Sequence, residues 1–356
     1  MFNILTYDQI DQQQWQKLTE ASATATWFQT PDAYQFYASV SEMVPFATAV
    51  ENNGKLRAVC VGYTTKETST IKQFLTCRAI IIGGPLLADD ATDEEVAALL
   101  TAVAECRVES VECKGKENSK AVTSASTSYT LRPTPIYIET RNFNDYSRWK
   151  SVFEANGFAY QPHLNFHVDT TSVELLESRL GKNRKRDIKT SLRDGATIIE
   201  CPTIEQVRTY YALLKHLYTT KIKTPLFSWD FFENLHAHPN GRFILVELNG
   251  EIIGGTVCVE LPNRCLYEWF VCGRDGEWKS IFPSSLATYA GIRYAAEHGC
   301  SRFDMMGAGK PDEAYGVRDF KAKFGGELVE HGRFLCIRKL LLYWIGKLGV
   351  KILKKR

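Results

Sequence analysis

Three charged side chains interrupt apolar stretches in the last third of the chain, and their types suit proton transfer and the binding of negative charge. Glu268 lies within the apolar run 266–270, and Asp304 and Lys321 lie in later runs of the same kind. Ionisable groups in apolar surroundings are usually paired or functional. Glu268 is a candidate proton acceptor, and Lys321 is a candidate donor to an oxyanion or a phosphate. For Asp304, capping of the adjoining glycine turn is the stronger interpretation.

The residues around Lys321 alternate in a way that predicts a β-strand. Phe320, Ala322 and Phe324 would face one side of this strand. Lys321 and Lys323 would face the other, because successive side chains of a strand point to opposite sides. The pattern therefore places both lysines in the same space.

A second candidate site is the basic segment 179–193, which holds seven cations and one acid, Asp187. At helical spacing a single stripe contains Lys182, Arg186, Lys189 and Arg193. Gly195 is a natural end for this helix. Like charges four residues apart destabilise a helix, so the segment favours phosphate or nucleic-acid contact over a merely solvated face. Further candidate phosphate contacts are Arg184, Lys221 and Lys223.

Several common catalytic signatures are missing from the sequence. Gly309-Lys310 resembles the end of a P-loop, but Pro311 follows the lysine and Asp304 stands where the first glycine belongs. The spacing of His163 and His167 suits a pair of ligands on a helix, but both fall in a strand-like run. The ten cysteines form no C-x-x-C pair, which indicates buried thiols in a reducing compartment. The sequence predicts no metal site.

Length and composition indicate a globular protein. The chain has 356 residues, 44% hydrophobic and 24% charged, with a net charge of +2. This length corresponds to about two to three domains. The N-terminal residues lack the charge and apolar pattern of a signal peptide, and no apolar window is long enough to span a membrane. We expect a cytoplasmic protein.

Two segments of the chain follow the same pattern. In the first, a helix over residues 31–40 leads to a strand pair joined at Asn53-Gly54, and then to a strand and a long helix. In the second, a helix over 229–237 leads to a pair joined at Asn249-Gly250, with the same continuation. Asn-Gly between apolar strands is a strong hairpin signal. The pattern predicts a duplicated α/β module.

The duplication divides the chain into three parts. We expect an N-terminal domain over residues 1–170, a C-terminal domain over 171–331 and a basic amphipathic helix over 332–356. The run 157–168 is expected to close the first domain as a strand, and the Ser- and Thr-rich residues 114–130 are expected to form a surface loop.

The C-terminal tail combines cations with apolar residues. After Glu330 it holds eight cations and no acid. On a helical wheel one face contains Leu341, Trp344, Ile345, Leu348 and Ile352, and the lysines lie opposite. This pattern is typical of a helix on an anionic membrane surface. Docking of the apolar face on the protein body is an equally good interpretation.

The motifs of the last third, taken together, resemble one known group of enzymes. A helix ends at His298-Gly299, a strand carries Asp304, and Phe320–Gly326 reads F-K-x-x-F-G-G. This order resembles the Fem family of peptidoglycan peptidyltransferases and related acyltransferases of the GNAT (Gcn5-related N-acetyltransferase) fold. The basic helix 182–193 and Phe28-Gln29 also resemble features of that family. The resemblance implies an α/β (α+β) fold of two tandem GNAT-like domains around a cleft.

The resemblance also implies a reaction, the attack of an amine on an activated acyl group. The acyl donor would be aminoacyl-tRNA or acyl-CoA, used as a substrate, with no tightly bound cofactor. The acceptor would be an amine of a cell-envelope precursor of the peptidoglycan type. Aminolysis needs a proton acceptor and an oxyanion donor, for which Glu268 and Lys321 are the candidates. Additional candidate substrate contacts are Tyr267, Tyr289 and Phe324.

Three departures from the family pattern leave alternatives open. No basic residue occurs between Lys17 and Lys55, where family members often carry one in the first helix. A long helical arm between the halves is missing. The loop 274–279 does not match the Q/R-x-x-G-x-G/A pattern that binds pyrophosphate in acetyl-CoA enzymes. An acyl-CoA-dependent N-acyltransferase acting on an envelope sugar or lipid, or a non-catalytic RNA- or membrane-binding relative, therefore remains an alternative.

Overall fold

The computed structural model describes residues 2–67, 69–105 and 134–353. The predicted loop 114–130 lies outside these residues. The strands of the first half are β1 (Asn3–Thr6), β2 (Met43–Asn52), β3 (Lys55–Thr65), β4 (Ala79–Gly83), β5 (Leu86–Leu87), β6 (Tyr137–Asn142), β7 (Ala159–Gln161) and β8 (Leu164–Asp169). Its helices are α1 (Gln12–Ala21), α2 (Pro31–Ser39), α3 (Thr70–Thr76), α4 (Asp93–Glu105) and α5 (Lys150–Ala155).

The second half repeats this order of elements. Its strands are β9 (Ala196–Ile199), β10 (Gly241–Leu248), β11 (Glu251–Leu261), β12 (Cys265–Gly273), β13 (Arg302–Asp304), β14 (Glu327–Glu330) and β15 (Arg333–Ile337). Its helices are α6 (Val173–Arg179), α7 (Lys182–Arg193), α8 (Ile204–Leu217), α9 (Trp229–Ala237), α10 (Pro283–Glu297), α11 (Gly316–Ala322) and α12 (Leu340–Leu353). Among the described residues, none of the helices combines the length and apolar character needed to cross a membrane.

The two sheets have the same plan. One sheet runs β1-β2-β3-β4-β6-β15-β7, with β5 beside β3, and the other runs β9-β10-β11-β12-β13-β8-β14. The hairpins β2–β3 and β10–β11 turn at Asn53-Gly54 and Asn249-Gly250, where all four residues have positive φ. That backbone suits Asn and Gly and matches the twist of the flanking strands. The predicted duplication is confirmed.

Each half gives its last strand to the sheet of the other half. β8 follows β7 after two residues, yet it pairs with β13 and β14 in the second sheet. β15 follows β14 in the same way and pairs with β6 and β7 in the first sheet. Neither sheet is therefore contained within the residues predicted for its domain. The run 157–168, predicted as one strand of the first half, is split between the sheets.

A shared aromatic core joins the halves. Helices α2 and α9 pack together, with the rings of Phe36 and Phe231 5.2 Å apart. Phe28 lies 5.0 Å from Trp269 of the second sheet. Gln29 is fully buried and donates to the Gly84 carbonyl at 2.9 Å. The Phe28-Gln29 motif therefore acts in packing the halves together.

Two local predictions near the C-terminus are wrong. The residues around Lys321 form the helix α11 rather than a strand, so Lys321 is buried while Lys323 is exposed. The C-terminal helix begins at Leu340 rather than near residue 332, because Arg333–Ile337 is the exchanged strand β15. In both cases the observed structure, helix α11 or strand β15, is stabilised by contacts with residues distant in sequence.

A partly buried ion-pair cluster holds the exchanged strand β15. Glu139 of β6 lies 2.8 Å from Arg141 and 3.1 Å from Arg333 of β15. Burial acts to raise the pKa of Glu139, but the charges and hydrogen bonds of these arginines lower it from 4.5 to about 2. The carboxylate therefore stabilises the fold above pH 4.5, and this stabilisation is lost as the pH falls towards 2.

We expect Glu139→Gln to lower the free energy of unfolding at pH 7 by about 3 kcal/mol, the equivalent of this pKa shift. Urea unfolding followed by circular dichroism measures the change. The matched control is Asp90→Asn, which breaks the pair of Arg57 with an 82% exposed carboxylate and should lower the free energy of unfolding much less, because solvent screens an exposed pair. Equal losses for both variants would contradict a special role of Glu139.

Candidate active site

The central strands of the two sheets differ in how far they pair. In the first sheet, β4 and β6 are paired in parallel at all five residues of β4. In the second, β12 pairs with β13 only over Cys265–Tyr267. The edge of residues 268–273 that faces β13 is without a paired strand among the described residues. An unpaired strand edge offers backbone N–H and C=O groups to an extended ligand.

Lys321 lies at this opening. Its ammonium is buried and donates to the carbonyl oxygens of Met305 and, at 2.8 Å, Gly307. The turn that presents these carbonyls is strained, since Met306 has a φ of 51°, and such strain is concentrated at functional sites. An ammonium has three N–H donors. The third is without a partner among the described residues.

Glu268 is the second buried charge of the opening. Its Oε1 accepts hydrogen bonds from Thr288 at 2.9 Å and Thr256 at 3.3 Å, and its Oε2 is buried without a partner in the part of the chain that the structure describes. Burial raises the pKa of Glu268, against the lowering effect of the Lys321 charge and of the two threonines. Burial also lowers the pKa of Lys321. These opposite shifts bring the two pKa values closer to each other and to neutral pH, as is common for groups that exchange protons at functional sites.

Asp304 is buried among neighbouring polar groups. Its Oδ1 accepts from Asn165 and from the N–H of Met306, both at 2.7 Å. Its Oδ2 lies 3.0 Å from Nε2 of His167. Burial acts to raise the pKa of Asp304, but these partners and Arg302 lower it below its usual range. The carboxylate therefore holds the turn that positions Lys321.

His167 is assigned no functional role by the sequence pattern. It meets Asp304 because β8 joins the second sheet, a pairing that no local pattern signals. The ring of His331 lies 5.3 Å from that of His167 and borders a cavity of about 480 Å³ between the halves. Arg148, Asn144 and Arg302 also line this cavity.

The basic stripe is exposed, as its spacing predicts. Its four cations all lie on the surface of α7: Lys182, Arg186, Lys189 and Arg193. Arg186 pairs with Asp187 at 3.2 Å, and Arg193 with Asp194 at 2.7 Å. The two lysines have no ion-pair partner within the described part of the chain. Lys221 and Lys223 are also exposed, in and just after the π-helical segment Tyr218–Ile222 that follows α8.

Arg184 was predicted as a phosphate contact of this segment, but the structure buries it. The guanidinium donates to Ser285 of α10 and lies 4.6 Å above the rings of Phe320 and Phe324. Phe324 is likewise fully buried. Arg184 is better described as a positioning residue, because it ties α7 and α10 to the helix that carries Lys321.

The two tyrosines proposed as substrate contacts also lie in the core. Tyr267 is fully buried between Phe28 and Phe143. Tyr289, on α10, is 8% exposed and packs in the hydrophobic cluster on the face of the sheet opposite to Tyr267. Neither hydroxyl is directed to the opening at Lys321 by any described hydrogen bond, so packing explains both residues.

Helix α10 begins beside the opening, where a helix N-terminus favours an anion. A carboxylate of the chain already occupies this position. The N–H of Ser284 donates to Oδ1 of Asp275 at 3.2 Å. The corresponding helix of the first half, α4, begins with three acids, Asp93, Glu94 and Glu95. Negative charge at the N-termini of α10 and α4 disfavours the binding of a pyrophosphate at either helix.

Comparison with known protein families agrees with this geometry. The model of the family described as "Acetyltransferase (GNAT) domain" matches residues 179–321. The second half of the chain is therefore similar in sequence to a GNAT domain. The matched residues include the open edge of β12, the turn after β13 and Lys321.

Solved structures extend the similarity to the whole chain. FemX superposes with a TM-score of 0.67 at 14% identity, over 96% of this chain and 99% of that one. L-PGS from Bacillus licheniformis gives 0.54 at 14% identity, over 95% and 96%. A tandem GNAT protein from the clavulanic acid biosynthesis pathway gives 0.52 at 10% identity, over 94% and 98%. No curated protein matches the chain in sequence.

These similarities confirm the resemblance and the fold class. The chain has two tandem GNAT-like domains and resembles the Fem family and related GNAT-fold acyltransferases in structure. At identities of this size, similarity establishes the fold and leaves the substrates to chemical argument.

Proposed function

We propose that the chain is an acyltransferase that moves an activated acyl group onto an amine of a cell-envelope precursor, at the opening between β12 and β13. The observation that carries the proposal is the buried pair of Lys321 and Glu268 beside an unpaired strand edge. Burial of two charges is costly, and the first half has no such pair at the same place among its described residues.

In the proposed reaction the acyl donor lies extended along the open edge of β12. The amine attacks the acyl carbon, and Glu268 accepts its proton directly or through water. The third N–H of Lys321 stabilises the oxyanion, and the Lys321 ammonium returns a proton to the leaving oxygen or sulfur. The carbon–leaving-group bond breaks as the amide forms. No covalent nucleophile is required.

Aminoacyl-tRNA is the donor that the charges favour. Asp275 occupies the α10 N-terminus, where a CoA pyrophosphate would bind a helix. The basic stripe lies on α7, which packs against α10, and the N–H of Phe282 donates to Ser191 of α7 at 2.9 Å. RNA phosphates on the stripe would therefore approach the opening.

An acyl-CoA-dependent N-acyltransferase is the second candidate. Helix α2 has a single charged residue, the acid Asp32, and this offers nothing to the diphosphate of a nucleotide-linked acceptor.

Incubation with charged tRNA or with acyl-CoA, followed by mass spectrometry of donor and acceptor, separates the candidates. Consumption of charged tRNA alone is expected. Consumption of acyl-CoA alone would reverse the donor assignment, and consumption of neither would remove the proposed activity. We propose action on the cytoplasmic side of the envelope.

Charge reversal on the stripe should weaken tRNA binding. For Lys182→Glu with Lys189→Glu, we expect the slope of log affinity against log salt to fall by about 0.7–0.9 for each phosphate that the variant no longer binds. Filter binding over a salt series measures the slope. Lys17→Glu with Lys55→Glu makes the same charge change on the exposed surface of the first half and should leave the slope unchanged. Equal slopes in both double variants would show that the stripe is only a solvated surface of the helix.

A further inference from the structure

The apolar face of α12 is open to solvent. Leu341 is 74% exposed, Trp344 55%, Ile345 58% and Leu348 61%. These residues are spaced at i, i+3, i+4 and i+7, which places them on one side of the helix. The tail therefore does not dock this face on the protein body. Exposed apolar surface of this extent marks an interaction site.

A second apolar element, which the sequence analysis did not identify, lies in the first half. Helix α3 exposes Ile71 by 75%, Phe74 by 50% and Leu75 by 47%. Its one lysine, Lys72, pairs with Glu67 at 2.7 Å. α3 contributes apolar surface with little net charge.

The fold holds the two helices side by side. The carbonyl of Cys77, at the end of α3, accepts a hydrogen bond from the N–H of Ile136 at 2.8 Å. The Ile136 carbonyl in turn accepts from the N–H of Arg338 at 2.8 Å and of Lys339 at 3.0 Å, just before α12. The Lys339 ammonium lies 4.3 Å from the Phe74 ring centre. We call the exposed apolar residues of both helices the two-helix face: Ile71, Phe74, Leu75, Leu340, Leu341, Trp344, Ile345 and Leu348.

We propose that the two-helix face docks on an anionic lipid surface. Charge complementarity selects this partner. Arg333 is paired with Glu139 within the fold, but seven further cations and no acid follow it in the chain. Lys347 lies 5.0 Å from the Trp344 ring centre, so its stem borders the apolar face while its charge can meet lipid headgroups. With 14 residues, α12 is shorter than the about 20 needed to span a bilayer. It therefore lies in the interface.

This surface goes beyond the transfer reaction and does not depend on the donor. It also lies near the candidate site. Tyr343 of α12 is close enough to Lys310 for the lysine charge to act on the pKa of the tyrosine. Lys310 belongs to the loop between α11 and the turn whose carbonyls bind Lys321. Docking would bring this loop to the headgroups, where a lipid-linked acceptor is presented.

Co-sedimentation of the full chain with vesicles tests the proposal. We expect binding to vesicles of phosphatidylglycerol and phosphatidylcholine, and much weaker binding to phosphatidylcholine alone, by about fivefold for each cation at the surface. Ile71→Glu with Phe74→Glu on α3 should weaken binding at least about tenfold, as should Leu341→Glu with Ile345→Glu on α12. The matched control is Ile4→Glu with Leu328→Glu, on β1 and β14, where the wild-type residues are 44% and 49% exposed; this variant should bind as the wild type does.

Two results would overturn the proposal. One is binding that neither double variant weakens, or the absence of binding to anionic vesicles. The other is a lipid-free dimer in sedimentation velocity that both double variants convert to a monomer, since the face would then join two copies of the chain. Circular dichroism verifies that each variant is folded, and because the substituted residues are exposed, folding should be retained.

Discussion

Lys321→Met is expected to lower turnover at least about a hundredfold, the effect of removing one preorganised oxyanion donor. The affinity for the donor should change little, because the charge acts mainly on the transition state. Met keeps the length and the apolar stem. It leaves the carbonyls of Met305 and Gly307 without their donor, so we also expect a loss of about 1–3 kcal/mol in unfolding free energy. Steady-state kinetics and thermal unfolding measure the two effects.

Lys323→Met is the matched control for this prediction. Lys323 follows α11 directly but is exposed, so its replacement should leave turnover and stability close to those of the wild type. A loss of stability in Lys321→Met with unchanged turnover of the folded fraction would restrict Lys321 to holding the turn. The oxyanion would then need another donor.

Glu268→Gln should lower kcat by about 10²–10⁴, the range for loss of a general base. The amide can still accept from Thr256 and Thr288, which both donate to Oε1. The effect should therefore lie in proton transfer rather than in packing. The matched control is Glu260→Gln, another buried carboxylate on the adjacent strand β11, which pairs with Arg242 at 2.8 Å. This control should affect stability but not the rate of proton transfer.

The pH profile gives an independent test of Glu268. A base must be deprotonated, so kcat/KM of the wild type should fall as the pH drops below the raised pKa of Glu268. This acidic limb should disappear in Glu268→Gln and remain in Glu260→Gln. The limb from deprotonation of the acceptor amine, at higher pH, should remain in all three proteins. Retention of the acidic limb in Glu268→Gln would assign it to a different group.

Local patterns in the sequence were sufficient for the elements that depend on near neighbours. The Asn-Gly turns predicted both hairpins, because their positive φ values suit few other residues. The spacing of four cations predicted the exposed stripe of α7. The repeated order of these elements predicted two similar modules. The apolar and basic halves of the tail predicted an amphipathic helix, which begins at Leu340.

The tertiary structure decided where groups distant in sequence meet. The alternation around Lys321 has the period of a strand, but those residues form a helix that Arg184 of α7 contacts through Phe320 and Phe324. A long-range contact of this kind overrides local propensity. The same applies to burial, since Arg184 belongs to the basic segment in sequence and to the core in space.

The exchange of strands has the same physical origin. β8 and β15 can pair in either sheet by their local pattern, and only the arrangement of the complete halves selects the partner. That selection places His167 against Asp304 and Arg333 against Glu139. It also brings the start of α12 beside α3. The residues that follow β15 bond to the backbone of Ile136, which in turn bonds to Cys77 at the end of α3. The sequence by itself determined the parts and their chemistry, and the pairing of distant strands decided which parts act together.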